Sequence, residues 1–529
     1  MDKHTLLVNR RRFLSGLAFS AAAGATLVPW RGSAYAAAPK FTSDPFSLGV
    51  ASGDPSQEGF VLWTRLAPNP LEVQAFTQEL VEVNVEVATD PTFKNIVRRQ
   101  TEIARPDMAH SVHAEIYGLA PNRQYFYRFN CGGVASPVGR VKTTPMLGAD
   151  FDKLKFAWTS CAHYEQGYYT GYADIADQNP DLILGLGDYI YEVSYGPQLR
   201  RMPVNEAFTL DEYRLIHALT KTDKDLQRAH QVAPWLFIWD DHEVANDYQG
   251  DFGETRPVND EKRFVERKYN AYKAFFEHIP LRSRSRFDAS NHMRIYGQSI
   301  YGNLVEFTLL DTRQYRARAA CPTPGRFEAE VVSRATCTEL QDQNRTILGA
   351  AQERFVNENM MRGIAKWDIL VQPTLFSTIF QKTSKGDDGA FNEGWSGFEP
   401  ARQKLIDAIQ KRQKQAQCVV IGGDMHAFFA SDVKANYADQ KSETVAVEFV
   451  GGSITSKSYN YDRFMKMLPD NPHIKFFDDR VNGYGLVEVD KQKMDVKLRA
   501  TPSTWDKSAK YFNLKHYVVE RGANRLNEV

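Results

Sequence analysis

Four short apolar runs in this 529-residue chain each stop abruptly at side chains that ligate metals. They occupy residues 156–161 (FAWTSC), 182–191 (LILGLGDYIY), 235–246 (WLFIWDDHEVAN) and 418–426 (CVVIGGDMH). Open α/β folds gather their ligands at the carboxyl ends of strands. Four such ends delivering Cys, Asp, Tyr and His therefore predict one shared, polynuclear metal centre.

Asp188 follows Gly185-Leu186-Gly187, with Tyr191 three residues on. A carboxylate so placed can bridge two cations about 3.5–4 Å apart, the spacing that clamps both oxygens of an in-line displacement. A phenolate from Tyr191 and a thiolate from Cys161 favour a ferric ion, because Ca²⁺ and Mg²⁺ do not select such donors. The plainer reading is an Asp-capped strand end beside a core tyrosine. In Asp240-Asp241-His242-Glu243 three acids crowd one histidine, and they repel one another unless a cation neutralises them. A helix starting there would put His242 and Asn246 on one face; a solvated acidic cap is the alternative. Asp424 and His426, spaced as D-x-H on an extended segment, point to one side. Gly422 and Gly423 before them allow close backbone approach.

Runs of this length, rich in β-branched and aromatic residues, read as buried strands. Residues 40–145 read as all-β, with strands over 81–87, 110–119, 124–130 and 138–142 and a Pro121 turn between. Their spacing is similar to that of fibronectin III or immunoglobulin-like sandwiches, and 143–146 looks like an exit linker. From 153 strands and helices alternate, giving an α/β catalytic region. Helices are expected at 259–276 and 400–416, the first with Phe264, Tyr269, Tyr272 and Phe275 as a core-facing stripe. Further strands are expected at 304–311, 367–372, 445–450 and 484–489. The mixed stretch 192–224 reads as an excursion near the site mouth.

Apolar residues make up 43% and charged residues 25% of the chain, which are ordinary globular values. The 65 basic and 65 acidic residues cancel, so nothing overall draws the protein to nucleic acid or an anionic membrane. Residues 1–36 read as a twin-arginine signal peptide: Arg10-Arg11-Arg12-Phe13-Leu14, a weakly apolar run, then Ala34-Tyr35-Ala36 as a small-x-small cleavage site. The expected partner is the twin-arginine export machinery, which carries folded proteins, and the expected location is periplasmic or secreted. Removal of that segment leaves a soluble chain with a net charge of about −4. No other stretch is long enough for stable membrane insertion. Five cysteines make an odd number for an exported protein. Cys321 and Cys337 bracket a loop and form the best disulfide pair, Cys131 and Cys418 read as buried thiols, and Cys161 is left at its strand end.

Taken in order, Ser160-Cys161, Gly187-Asp188-x-x-Tyr191, Asp241-His242-Glu243 and Gly423-Asp424-x-His426 resemble the calcineurin-like metallophosphoesterase pattern. They are closest to its alkaline phosphatase D branch. Residues 46–55 (FSLGVASGDP), 62–65 (LWTR), 309–316 (LLDTRQYR), 449–456 and the twin-arginine signal match as well, so the resemblance spans nearly the whole chain. It implies a calcineurin-like β-sandwich flanked by helices over 153–515, preceded by the all-β domain. It also implies one Fe(3+) held by Cys161, Asp188, Tyr191 and His426, and Ca(2+) sharing Asp188 and using Asp241, Asn246 and Asp424. The superfamily carries D-x-H where this chain has Cys161-Ala162-His163, which makes His163 only a neighbour. Trp395-Ser396-Gly397-Phe398 stand where the branch usually carries an Asp and a Tyr.

The expected activity is hydrolysis of phosphomonoesters and phosphodiesters by a ferric-bound water acidified to hydroxide. Calcium and His242 would neutralise the charge that develops on the phosphoryl and leaving oxygens. Arg313 is a candidate phosphate clamp, or else an ion pair with Asp311; His163 and Tyr164 are outlying candidates. A dedicated phosphodiesterase, phospholipase D-like or degrading teichoic acids, would use the same centre. A surface-polymer binding protein with an inert metal fold is the non-enzyme alternative, and the intact ligand set argues against it.

Overall fold

The four apolar runs fold as the strands Lys153–Thr159, Leu182–Leu186, Trp235–Ile238 and Gln417–Gly422. The computed structural model describes residues 39–529 apart from 73–75, 77, 254–260, 288–291, 324–328, 413–415, 440 and 459. The signal segment expected over 1–36 lies outside the described residues.

The first three runs are parallel neighbours, with Ile183 opposite Ala157 on one side and Trp235 on the other. All five residues of Leu182–Leu186 are buried, as expected for a parallel strand covered on both faces. These strands lie in a ten-stranded mixed sheet. The fourth run belongs to a separate seven-stranded sheet, parallel to Trp367–Val371 and Thr444–Gly451. Strand alternation sorts its side chains. Phe307, Ile369, Val371, Val419 and Ile421 join the core of the ten-stranded sheet, whereas Leu370, Cys418 and Val420 pack beside residues of the helices Gly349–Arg362 and Glu399–Arg412. Phe156 meets Phe307 edge-on at 5.1 Å, and the Trp158 indole donates to the Gly422 carbonyl at 3.2 Å. Two mixed sheets thus pack face to face with helices outside them, an α/β architecture.

The expected helix at 259–276 is Glu261–His278. Of its aromatic stripe only Tyr272 and Phe275 are fully buried; Tyr272 stacks on Trp239 at 4.1 Å. The stretch 192–224 contains a helix the sequence reading left out, Leu210–Lys221, started by a capping box of Thr209 and Glu212.

The N-terminal strands Val50–Ser56, Gly59–Arg65 and Ser111–Ile116 pair antiparallel. A second sheet contains Val81–Ala88, Ile96–Ala104, Gln124–Cys131 and Gly139–Lys142. Phe60, Leu62, Val83, Val85, Tyr125, Tyr127 and Phe129 from both sheets share one core. This module is stitched to the rest. Val50–Ser56 pairs with Trp235–Ile238 through Gly53 and Trp235, and a Cβ on Gly53 would meet the Pro280 carbonyl at 2.2 Å. The stretch 143–146 is no free linker, since Thr144 N–H donates to the Ser56 carbonyl and Thr143 N–H to that of Arg123. Cys321 and Cys337 form the disulfide; Cys131, Cys161 and Cys418 are buried thiols.

Candidate metal centre

Backbone strain marks the strand ends. Cys161, Asp188, Asp424 and His426 all have positive φ, between 49° and 64°. L-residues reach this left-handed region at a cost, and such outliers cluster at functional sites. Gly187, φ 88°, packs so tightly against the third run that a Cβ would meet Asp240 at 2.5 Å. Two local expectations are corrected here. Asp424 and His426 are not on an extended segment: the strand ends at Gly422, and left-handed bends bring both side chains round. Nor does a helix start at His242. Val244 and Ala245 N–H both return to the Asp241 carbonyl in a single turn, and Glu192 accepts the Asn246 N–H at 2.8 Å.

The ligand atoms of Cys161, Asp188 and His426 lie within 4.8 Å of one another, as do those of Asp188, Asp241 and His242. Asp188 is common to both groups. The Tyr191 hydroxyl donates to Asp188 Oδ2 at 2.9 Å, stands 3.0 Å from His426 Nε2 and accepts from Ser456 Oγ at 2.7 Å. His426 Nδ1 lies 3.3 Å from the Lys457 carbonyl; a proton held there leaves Nε2 as the ligating atom. In the second group His242 Nδ1 is 2.7 Å from Glu192 Oε2, so Nε2 is the nitrogen left for the centre. Asp241 accepts the N–H groups of His242 and Asp247. Asp424 accepts from the Thr374 hydroxyl at 2.7 Å.

Electrostatics tie these groups to positive charge. Burial, and then the neighbouring Asp241, push Asp188 well above the usual carboxylate range. Burial and Glu393 raise Asp424 to about 7. Burial and the Asp188 charge likewise raise the Cys161 thiol and the Tyr191 phenol. Against burial, Arg313 and His242 hold Asp241 well below its ordinary value. Burial and His242 lower His426 to about 4, so its imidazole is neutral and fit to ligate. Asp188 Oδ1 is buried without a hydrogen-bond partner. A shared, orphaned carboxylate flanked by thiol, phenol and imidazole on one side and by carboxylate on the other fits a pair of cations.

Arg313 is reassigned. Its side chain is 1% exposed; Nε donates to Asp240, Nη1 to Glu393, and Nη2 lies 3.7 Å from Asp241. Its backbone N–H, rather than its guanidinium, meets Asp311. It therefore holds the acidic wall together and does not reach out as a phosphate clamp. Several residues of the site have roles that the sequence did not show. Glu243 accepts the N–H groups of Asp188, Tyr189 and Asp240, stapling two strand ends. Glu192, Glu393 and Ser456 come from outside the four runs. His163, the expected neighbour, packs 4.4 Å from the Tyr191 ring. Trp395 is buried, its indole on Gln372 Oε1, and packs with Phe398 in the second core.

A strand-end centre built to hold cations between two mixed sheets defines a metal-dependent hydrolase, and the comparisons with known proteins give its reaction. Residues 156–498 match the PhoD-like phosphatase model and 32–145 its N-terminal domain model. The chain belongs to the PhoD-like phosphatase family and is a phosphoester hydrolase. It is 38% identical to alkaline phosphatase D of Bacillus subtilis (strain 168) over 504 residues, covering 93% of this chain and 84% of that one. A solved structure of PhoD matches with a TM-score of 0.86, 38% identity and 93% of both chains covered. No helix among the described residues is long and apolar enough to cross a membrane.

Proposed function

We propose that this chain is an exported enzyme that hydrolyses both phosphomonoesters and phosphodiesters. In this reading Fe(3+) is held by Cys161, Asp188, Tyr191 and His426, and Ca(2+) by Asp188, Asp241, Asn246 and Asp424. The observation that carries it is Asp188, whose carboxylate serves a thiol–phenol–imidazole group and an acidic group at once. Thiolate and phenolate suit a ferric ion, and oxygen donors suit calcium. When bound, such a pair supplies Lewis acidity, a lowered water pKa and an anchor for phosphoryl oxygens. The chain's own residues do the positioning. Glu192 fixes the His242 ring, directing Nε2 to where charge develops during the displacement. Arg313, Asp240 and Glu393 keep Asp241 in place, and Glu243 fixes the backbone that carries Asp188.

The finer architecture and location belong to the same proposal. They comprise a calcineurin-like sandwich over 153–515, a fibronectin III or immunoglobulin-like module over 40–145, and a signal over 1–36 read by the twin-arginine machinery. The test is hydrolysis of p-nitrophenyl phosphate and bis(p-nitrophenyl) phosphate by wild type and Asp188→Ala. Both substrates are expected to turn over in the wild type and neither in the folded variant. Turnover of the diester alone would favour the dedicated phosphodiesterase, and retained turnover in Asp188→Ala would remove the bridging role.

A further inference from the structure

Tyr195 stands on the boundary between the centre and solvent. It is 38% exposed, yet its ring lies 4.7 Å from His163, 5.9 Å from Tyr191 and 6.1 Å from His242, near-parallel to the last. The segment that carries it is pinned. Val193 bridges to Glu206, Ser194 N–H donates to the Asn205 carbonyl at 2.7 Å, and the Tyr195 carbonyl accepts from Gln166 Nε2 at 3.1 Å. Its ring thus stands beside two side chains of the centre, Tyr191 and His242. Among the described residues none hydrogen-bonds that hydroxyl. A phenol pinned beside the centre, with a hydroxyl that the described residues leave unused, keeps a donor available to a bound ester.

Resting on the reading of the site given above, we propose that Tyr195 is a catalytic residue whose hydroxyl donates a hydrogen bond to the leaving oxygen of the bound ester. In an in-line displacement the attacking and leaving oxygens lie on opposite sides of phosphorus. With the nucleophile arriving from the buried acidic side, the leaving oxygen must point outward, and Tyr195 is the donor that meets it there. As the P–O bond to the leaving group breaks, negative charge grows on that oxygen and the hydrogen bond strengthens; the tyrosine keeps its proton. A hydrogen bond to a charged group contributes about 1.5–3 kcal/mol, roughly 10–100-fold in rate. The contribution should be largest for basic alkoxides and smallest for p-nitrophenolate, which leaves without help.

The experiment measures kcat and kcat/KM of wild type and Tyr195→Phe on a series of monoesters, from p-nitrophenyl through phenyl to alkyl phosphates. Unfolding midpoint and bound metal are measured in parallel. The expected result is unchanged stability and metal content, a change of less than about threefold on p-nitrophenyl phosphate, and a loss of about 10–100-fold on alkyl phosphates. The dependence of rate on leaving-group pKa should therefore steepen. Equal losses across the series, or none anywhere, would overturn the proposal. A wild-type enzyme that turned over none of these esters would instead strike at the function proposed for the whole site.

Discussion

Two of the buried charge clusters among the described residues, one acidic and one basic, meet the cost of burial in different ways. The metal centre packs Asp188, Asp240, Asp241, Glu243, Asp424 and Glu393 around Arg313 and His242. Where the N-terminal module meets the helices, Arg65, His217, Lys221, His230 and His278 are buried together, all less than 8% exposed. His217 and His278 stack at 5.0 Å, and Lys221 Nζ lies 4.2 Å from the Trp63 ring. Burial lowers the pKa of Lys221 to about 7 and, with the Lys221 charge, that of His217 to about 3. The histidines and, in part, Lys221 shed their protons, while Arg65, lowered by burial only to about 10, stays charged with the buried Glu277 acting on it. In the acidic cluster burial raises Asp188 and Asp240 well above the carboxylate range and Glu243 to about 7, whereas against burial Arg313 and His242 keep Asp241 charged. Carboxylates this costly to ionise, gathered around one that stays charged, are ones whose burial a bound cation would relieve.

That contrast breaks most sharply at Arg313. Arg313→Met leaves Asp240 buried without its cation and Glu393 with Arg316 alone, and removing one partner of such a pair costs about 3–5 kcal/mol. Urea unfolding should show a loss of this size. A loss below about 1 kcal/mol would mean that the acids discharge themselves as the bases do. A smaller effect is expected at Glu192, whose carboxylate orients His242 and holds the Asn246 backbone. Glu192→Gln should reduce kcat by about 10–100-fold, the usual range for residues that orient ligands, with little change in stability. Unchanged kcat would show that His242 needs no such support.

The smallest effect belongs to Lys221 and depends on pH. Its folded pKa of about 7 lies below the roughly 10.4 of an unfolded lysine. Between those values the unfolded chain binds more protons, so stability rises with pH across this window. Below pH 7 the penalty of burying the charged amine is present in full. Lys221→Met should flatten the rise, with a difference on the order of 1–3 kcal/mol between pH 7 and 10, since the Trp63 face offsets part of the penalty. Unfolding midpoints followed over that range check it; an unchanged pH profile would show that Lys221 stays charged.

The reach of the sequence follows from where the information lies. Strand ends were legible because a buried run has a short, dense apolar signature and its ligands follow within a few residues. Cys161, Asp188, Tyr191, Asp241 and His426 came from this signature. Residues arriving from distant segments were not legible. Glu243 reads as one more acid in a run, and nothing local shows that it caps three N–H groups. Arg313 misled for a related reason: a guanidinium suits phosphate and carboxylate equally, and only the fold shows that it faces Asp240 and Glu393. The D-x-H geometry failed because the strand stops at Gly422 and the backbone bends left-handed at Asp424 and His426, which the residue types alone do not indicate. The strands expected at 81–87, 110–119, 124–130 and 138–142 are present, but Val50–Ser56, Gly59–Arg65 and Ile96–Ala104 were not read, and the pairing of Gly53 with Trp235 is a long-range contact that strand spacing does not encode.

The central claim is that the two groups sharing Asp188 hold unlike metals. Elemental analysis of the purified enzyme, taken with its visible spectrum, tests it most directly. The account predicts one iron and at least one calcium per chain, with a thiolate- or tyrosinate-to-iron absorption band that is lost or shifted in Tyr191→Phe. Chelation of calcium should inactivate reversibly while the colour remains. A colourless, fully active enzyme without iron would contradict it.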